Sequence, residues 1–147
     1  MSNWPISHAA HILKQGGIIA YPTEAVFGIG CLPDKLNSVQ RLLNLKKRPI
    51  DKGLILLADN LEQLRPFISP LDHNVLKKIQ SPTTMPTTWV VPTPSSTSPL
   101  LRGKFHSIAI RITTHPVVKQ LCQKIQSPII STSANITGKH MTYNAFE

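Results

Sequence analysis

Cations and small hydroxyls, rather than acids, hold the chemical potential of this sequence. In NLKKRPIDKGLILLA, residues 44–58, Lys46, Lys47 and Arg48 end a helical pattern, Pro49 follows at once, and Lys52 precedes a glycine that opens an apolar run. Lys46 and Arg48 stand two apart and do not share a face while the chain is helical. In the chain ahead of Pro49 they can, because a residue before proline favours β or polyproline geometry. Arg48 then offers a planar fork to a phosphate, with Lys46 and Lys52 as point charges. The same charges suit a solvated helix C-terminus that complements the helix dipole. Charge alone does not separate these readings.

Arg111 poses a sharper choice. It lies in SIAIRIT, where Ile108, Ile110 and Ile112 alternate with Ala109, Arg111 and Thr113 as on a strand. It either faces water or points into a cleft to hold a carboxylate. In PIISTSANITG, the residues Ser131, Thr132, Ser133 and Asn135 follow an apolar strand. Their hydroxyls and amide suit phosphate oxygens or an amino acid, and equally suit a turn. Thr23, just after Tyr21-Pro22, has the same ambiguity.

The elements that must position these groups are short and alternate in type. Ile6, Ala9, Ala10 and Leu13 mark a helix face over residues 6–15, closed by Gly16-Gly17. GIIAYP reads as a buried strand, and PTEAVFGIGCLP as a loop with a second strand. Asp34 or Asn37 is expected to cap a helix bearing Leu36, Val39, Leu42 and Leu43 that runs to Lys47, where Pro49 forbids continuation. GLILLA is a buried strand. Asn60 with Gln63 resembles a capping box, and Ser69-Pro70 is expected to open a helix with Leu71, Val75, Leu76 and Ile79. TWVVP is a strand, TPSSTSPLLRGKF is expected to be a mobile loop, and His115-Pro116 leads into another helix. PIIS is the last strand, with TSANITG as the loop after it. This order predicts one α/β domain, a twisted, open, mixed sheet with flanking helices. Its ligands are expected on loops beyond strand ends.

Length and composition narrow the classes. A chain of 147 residues suits one domain with a real core. No apolar run nears the roughly 20 residues that span a bilayer, and the start lacks the pattern of a secretory signal. Cys31 and Cys122 are read as buried thiols in a reducing cytoplasm. The net charge of +9 points to an anionic partner or substrate, or to solubility alone. No GxxxxGK[ST] occurs, and GIGCLP has Pro33 where a dinucleotide fingerprint needs its third glycine. The six histidines show no metal spacing, no GxSxG surrounds a serine, and the seven acids do not cluster.

Five segments, GGIIAYPTEAVFGIGC, LLNLKKRPIDKGLILLA, TTWVVP, SIAIRIT with its His-Pro, and PIISTSANITG, resemble the YrdC-like family in order, from about Ile6 to Gly138. Several motifs in register make this more specific than any one. The resemblance implies an open α/β sheet with a basic cavity. It implies a cytoplasmic nucleotidyltransferase that joins L-threonine, bicarbonate and ATP, with Mg²⁺ accompanying the ATP, into threonylcarbamoyl-adenylate and pyrophosphate. The product would serve tRNA t6A modification through proteins of the TsaB, TsaD and TsaE type. The family's K-x-R and S-x-N pattern falls on Lys46, Arg48, Ser133 and Asn135, the implied catalytic set. Arg48, Lys52, Ser133 and Asn135 would hold ATP, while Thr23, Thr88, Arg111 and Ser131 would line the threonine side, with no resident metal. Two departures stand out. Thr83-Thr84-Met85 replaces the family's Trp-Pro-Gly before Pro86, and the chain stops at Glu147, so residues 1–147 are expected to form one YrdC-like domain without the family's C-terminal segment. The second reading is an impaired module that binds RNA or nucleotide without chemistry. The +9 charge favours it, while two Trp, two Tyr and four Phe are few for base stacking.

Overall fold

Glycine at a left-handed position closes the first helix, α1 (Trp4–Lys14), and sets the direction of everything after it. Gly16 has φ 85°, its N–H donates to Leu13 O, and the Gly17 N–H donates to Ile12 O. This 5→2 and 6→1 pairing satisfies carbonyls the helix end would otherwise leave open. The structure, a computed structural model, describes residues 4–24 and 26–134. Two short strands follow, β1 (Ile19–Tyr21) and β2 (Gly28–Gly30). Helix α2 (Leu36–Lys46) buries Val39, Leu42 and Leu43 at helical spacing. Its N-cap is Lys35, without a side-chain cap, in place of the expected Asp34 or Asn37. Packing of the apolar stripe, rather than a polar cap, fixes this start.

Strand β3 (Ile55–Ala58) precedes a one-turn helix, α3 (Leu61–Leu64). Asn60 Oδ1 accepts from the Gln63 N–H at 3.2 Å, and Gln63 Oε1 accepts from the Asp59 N–H at 2.9 Å, a capping box displaced by one residue. Helix α4 (His73–Gln80) starts later than Ser69-Pro70 suggests, because Asp72 takes the cap and accepts from the Asn74 N–H at 2.7 Å. Strand β4 (Trp89–Pro92) comes next. The segment expected to be a mobile loop instead folds into the helical turn α5 (Pro99–Arg102). Ser98 caps it, the hydroxyls of Thr93 and Thr97 meet at 2.7 Å while buried, and Arg102 donates to Thr97 O and Phe105 O. Strand β5 (Ser107–Ile112), helix α6 (Pro116–Ile125) capped by His115, and strand β6 (Ile129–Ser133) complete the described chain. The hydroxyl run Ser131–Ser133, expected partly as loop, belongs to β6 because Gly28 and Ile29 pair with it.

The six strands form one sheet in the order β1-β2-β6-β3-β5-β4, in which only β3 and β5 run parallel. One face carries Leu56, Ala58, Ile108, Ile110 and Ile130, all buried under apolar side chains of α2, α3, α4 and α5. On the other face α1 and α6 cover Tyr21, Leu57 and Ile129. The rest of that second face, along β4 and β5, bears Val90, Ala109 and Arg111.

Candidate active site

The basic segment enters the site through a change of backbone direction. Lys46 is the last residue of α2, and Lys47 takes the left-handed conformation, φ 52° and ψ 40°. The Lys47 N–H donates to Asn44 O, and the Arg48 N–H donates to Leu43 O. Sequence reasoning gave the turn to Pro49. The turn is made two residues earlier, at Lys47, whose side chain is exposed. Pro49 is extended and feeds a single 3₁₀ turn, Ile50–Lys52. Lys46 and Arg48 are thereby turned toward the sheet from either side of Lys47.

Lys46 is 3% exposed, and its Nζ donates to Ser133 O at 2.6 Å and Ser133 Oγ at 3.3 Å. Burial, then the neighbouring Arg48 charge, holds the ammonium below the usual lysine pKa. Two predicted catalytic residues thus touch across the end of β6. Arg48 donates through Nε and Nη2 to Gly53 O, at 3.1 and 2.9 Å. Its guanidinium is fixed on the turn that opens β3. A cavity of about 250 Å³ lies beside it, lined by Arg48, Lys52, Ile55, Val90, Arg102, Phe105 and Ala109 among others. Lys104 Nζ stands 5.6 Å from the Phe105 ring centroid. Arg48, Lys52 and Arg102 give the cavity a cationic rim, and Ile55, Val90, Phe105 and Ala109 give it an apolar floor, a combination that suits a phosphate with an apolar group attached.

A second polar cluster lies farther along the same face. Arg111 donates through Nε and Nη2 to Thr88 Oγ1, at 3.0 and 2.8 Å. Its Nη1 is 4.0 Å from Glu24 Oε1. The buried Thr113 hydroxyl donates to the same carboxylate, at 3.1 Å to Oε2 and 3.4 Å to Oε1. Arg111 and Thr88, both placed on the threonine side by resemblance, are in direct contact. Sheet register relates the clusters: Ile55 pairs with Ala109 on one side and Ser131 on the other, and Leu57 pairs with Arg111. Ala109 of the cavity and Arg111 are two residues apart, roughly 7 Å along β5.

Ser131 sits beside the buried Tyr21, whose hydroxyl donates to Ile130 O at 2.9 Å. Burial drives the Tyr21 pKa upward, and a hydrogen bond with Ser131 counters part of that effect. The Thr23 hydroxyl donates to Val26 O at 2.6 Å within its own loop. Asn135 lies outside the described residues. Sequence reasoning missed Glu24, Thr113, Arg102 and Phe105 as site residues. Glu24 was visible as an acid inside the polar YPTEA segment. Thr113, Arg102 and Phe105 had no local signal, since the fold alone brings them in.

The comparisons with known proteins bear on this arrangement. The Sua5/YciO/YrdC profile, described as telomere recombination, matches residues 11–147. The chain belongs to the Sua5/YciO/YrdC family. A threonylcarbamoyl-AMP synthase of Photobacterium profundum is 53% identical over 128 residues, covering 86% of this chain and 69% of that protein. The threonylcarbamoyl-AMP synthase of Escherichia coli (strain K12) is 49% identical over 138 residues, covering 90% of this chain and 71% of that protein. The crystal structure of P. abyssi Sua5 complexed with L-threonine superposes with a TM-score of 0.87 at 28% identity, covering 99% of this chain. This chain spans only 43% of that longer Sua5 chain. The open mixed sheet with flanking helices is thus the Sua5/YciO/YrdC fold. Among the described residues no helix is long and apolar enough to cross a membrane, and no group of three His, Cys, Asp or Glu is placed to hold a metal.

Proposed function

We propose that this chain is a threonylcarbamoyl-AMP synthase, joining L-threonine, bicarbonate and ATP into threonylcarbamoyl-adenylate with release of pyrophosphate. The observation that supports it most is the placement of two separate cationic centres, Arg48 with Lys52 and Arg111, along one open sheet face. In this reading the neutral amine of threonine bonds to the carbon of bicarbonate with loss of water, and the resulting N-carboxylate attacks the α-phosphate through oxygen while pyrophosphate leaves. Nucleophile and leaving group are both anions, so the protein's main tasks are alignment and charge stabilisation. Ala109 in the cavity wall and Arg111 stand roughly 7 Å apart along β5, so one small molecule can reach from Arg111 into the cavity that Arg48 lines.

Arg48 and Lys52 hold the triphosphate, and Arg111 with Thr88 holds the threonine carboxylate. Ser131 and Thr23 line the amino-acid side, and Ser133 serves the phosphates, with Asn135 assigned beside it by the S-x-N pattern alone. Lys46 acts beside them while anchored on Ser133 O at 2.6 Å. Mg²⁺ enters with ATP as the substrate complex, carried by phosphate oxygens. The adenylate then passes, in the cytoplasm, to proteins of the TsaB, TsaD and TsaE type for tRNA modification. The test is incubation of the chain with ATP, bicarbonate, Mg²⁺ and isotopically labelled threonine. The expected result is labelled adenylate with one pyrophosphate per adenylate. Tight ATP binding without adenylate overturns the reading in favour of a nucleotide-binding module.

A further inference from the structure

Glu24 has no part in the reading above, yet it is the acid that faces Arg111. We propose that Glu24 and Arg111 recognise threonine as a zwitterion, Glu24 receiving the α-ammonium and Arg111 the α-carboxylate. The inference rests on the proposed function and names a further residue in the same site.

The geometry separates this pair from a closed salt bridge. Glu24 Oε1 and Arg111 Nη1 are 4.0 Å apart, beyond hydrogen-bond length. A guanidinium and carboxylate that serve only each other approach to about 2.7–2.9 Å, often through two parallel bonds. Here each ion is held by a neutral hydroxyl instead. Thr88 Oγ1 accepts from Nε and Nη2 of Arg111, and Thr113 Oγ1 donates to Glu24. A guanidinium has five N–H donors and a carboxylate about four acceptor positions, so these hydroxyls orient both ions without exhausting them. The side chains are 20% and 12% exposed, sheltered enough for charge to act strongly and still within reach of solvent. An α-amino acid carries its opposite charges on groups attached to one carbon. Two fixed charges of opposite sign, a few ångströms apart, match that spacing with the polarity reversed. A hydroxy acid without the amine would use Arg111 alone.

The test is calorimetric binding of L-threonine and of 3-hydroxybutanoate, which is threonine without its amine, to the wild-type chain and to Glu24→Gln. Wild type is expected to prefer threonine by about tenfold or more. Glu24→Gln should lose about tenfold for threonine and change by less than about twofold for 3-hydroxybutanoate. Glu24→Asp, which keeps the charge, should recover part of the threonine loss. Equal losses for both ligands would make Glu24 a positioning residue for Arg111 and overturn the proposal. No loss for threonine would overturn it too. If Glu24→Gln does not fold, equal binding of the two ligands by wild type overturns it, and a wild-type preference for threonine that Glu24→Asp retains supports it. A wild type that binds ATP but no threonine defeats the proposed function itself, a result distinct from the others.

Discussion

The two faces of the sheet are built from the same strands and do opposite things. On one, Leu56, Ala58, Ile108, Ile110 and Ile130 are 0–2% exposed and sealed by four helices. On the other, α1 and α6 cover only the part around Tyr21, Leu57 and Ile129, and the remainder holds Val90 at 71% exposure beside Arg111 and the cavity. One residue's shift along β5, from Ile110 to Arg111, moves from the sealed core to the open polar face, because successive side chains point to opposite faces. Stability and the proposed chemistry can therefore be perturbed separately.

The largest separation is expected from truncation on the sealed face. Leu56→Ala should destabilise the fold by about 2–5 kcal/mol, while Val90→Ala on the open face stays within about 0.5 kcal/mol. Urea unfolding of the two variants checks this, and equal losses would break the contrast. Next, Arg48→Ala should slow pyrophosphate release by about 10²–10³-fold. It removes the bonds to Gly53 O, so stability should fall by about 1 kcal/mol. Near-normal turnover would remove Arg48 from the chemistry.

The smallest effect concerns a surface pair away from the site. Burial tends to raise the Asp59 pKa, but hydrogen bonds from Lys119 at 3.0 Å and Gln123 at 3.1 Å outweigh it and hold the carboxylate below its usual value. A depressed folded pKa stabilises above the unfolded value and is lost as pH falls through the folded one. Because Lys119 is 41% exposed, the contribution should stay under about 1 kcal/mol. The stability gap between wild type and Asp59→Asn should be present at neutral pH and fade below about pH 4.

Strands and longer helices were legible because apolar periodicity is a local signal. Leu36, Val39, Leu42 and Leu43 announced α2, and the Ile108–Ile112 alternation announced β5. The helix start at Lys35 was not legible, since tertiary packing overrode two better capping residues. The Ser-Thr-Ser run read partly as loop because its ladder partners, Gly28 and Ile29, lie more than a hundred residues away. α5 was hidden by composition, since Pro and Ser clusters suit turns, while the buried Thr93–Thr97 hydroxyl pair that steadies the segment has no sequence signature. In the site, Lys46, Arg48 and Arg111 stood out as charges. Their partners, Ser133 O, Gly53 O and Thr88, depend on sheet register.

The glycines of GIGCLP have the spacing that opens a nucleotide fingerprint. Their spacing has another origin. A Cβ on Gly30 would lie 1.8 Å from Ile130 O, and one on Gly28 would press the Tyr21 ring at 3.2 Å and the Thr23 methyl at 3.3 Å. Both positions are gauges of how closely β2 can lie against its neighbours. Any side chain at residue 30 must push β6 outward, and with it Ser131 and Ser133. These two glycines thus set how far Ser131 and Ser133 stand from β2, a spacing role that no phosphate-binding pattern describes.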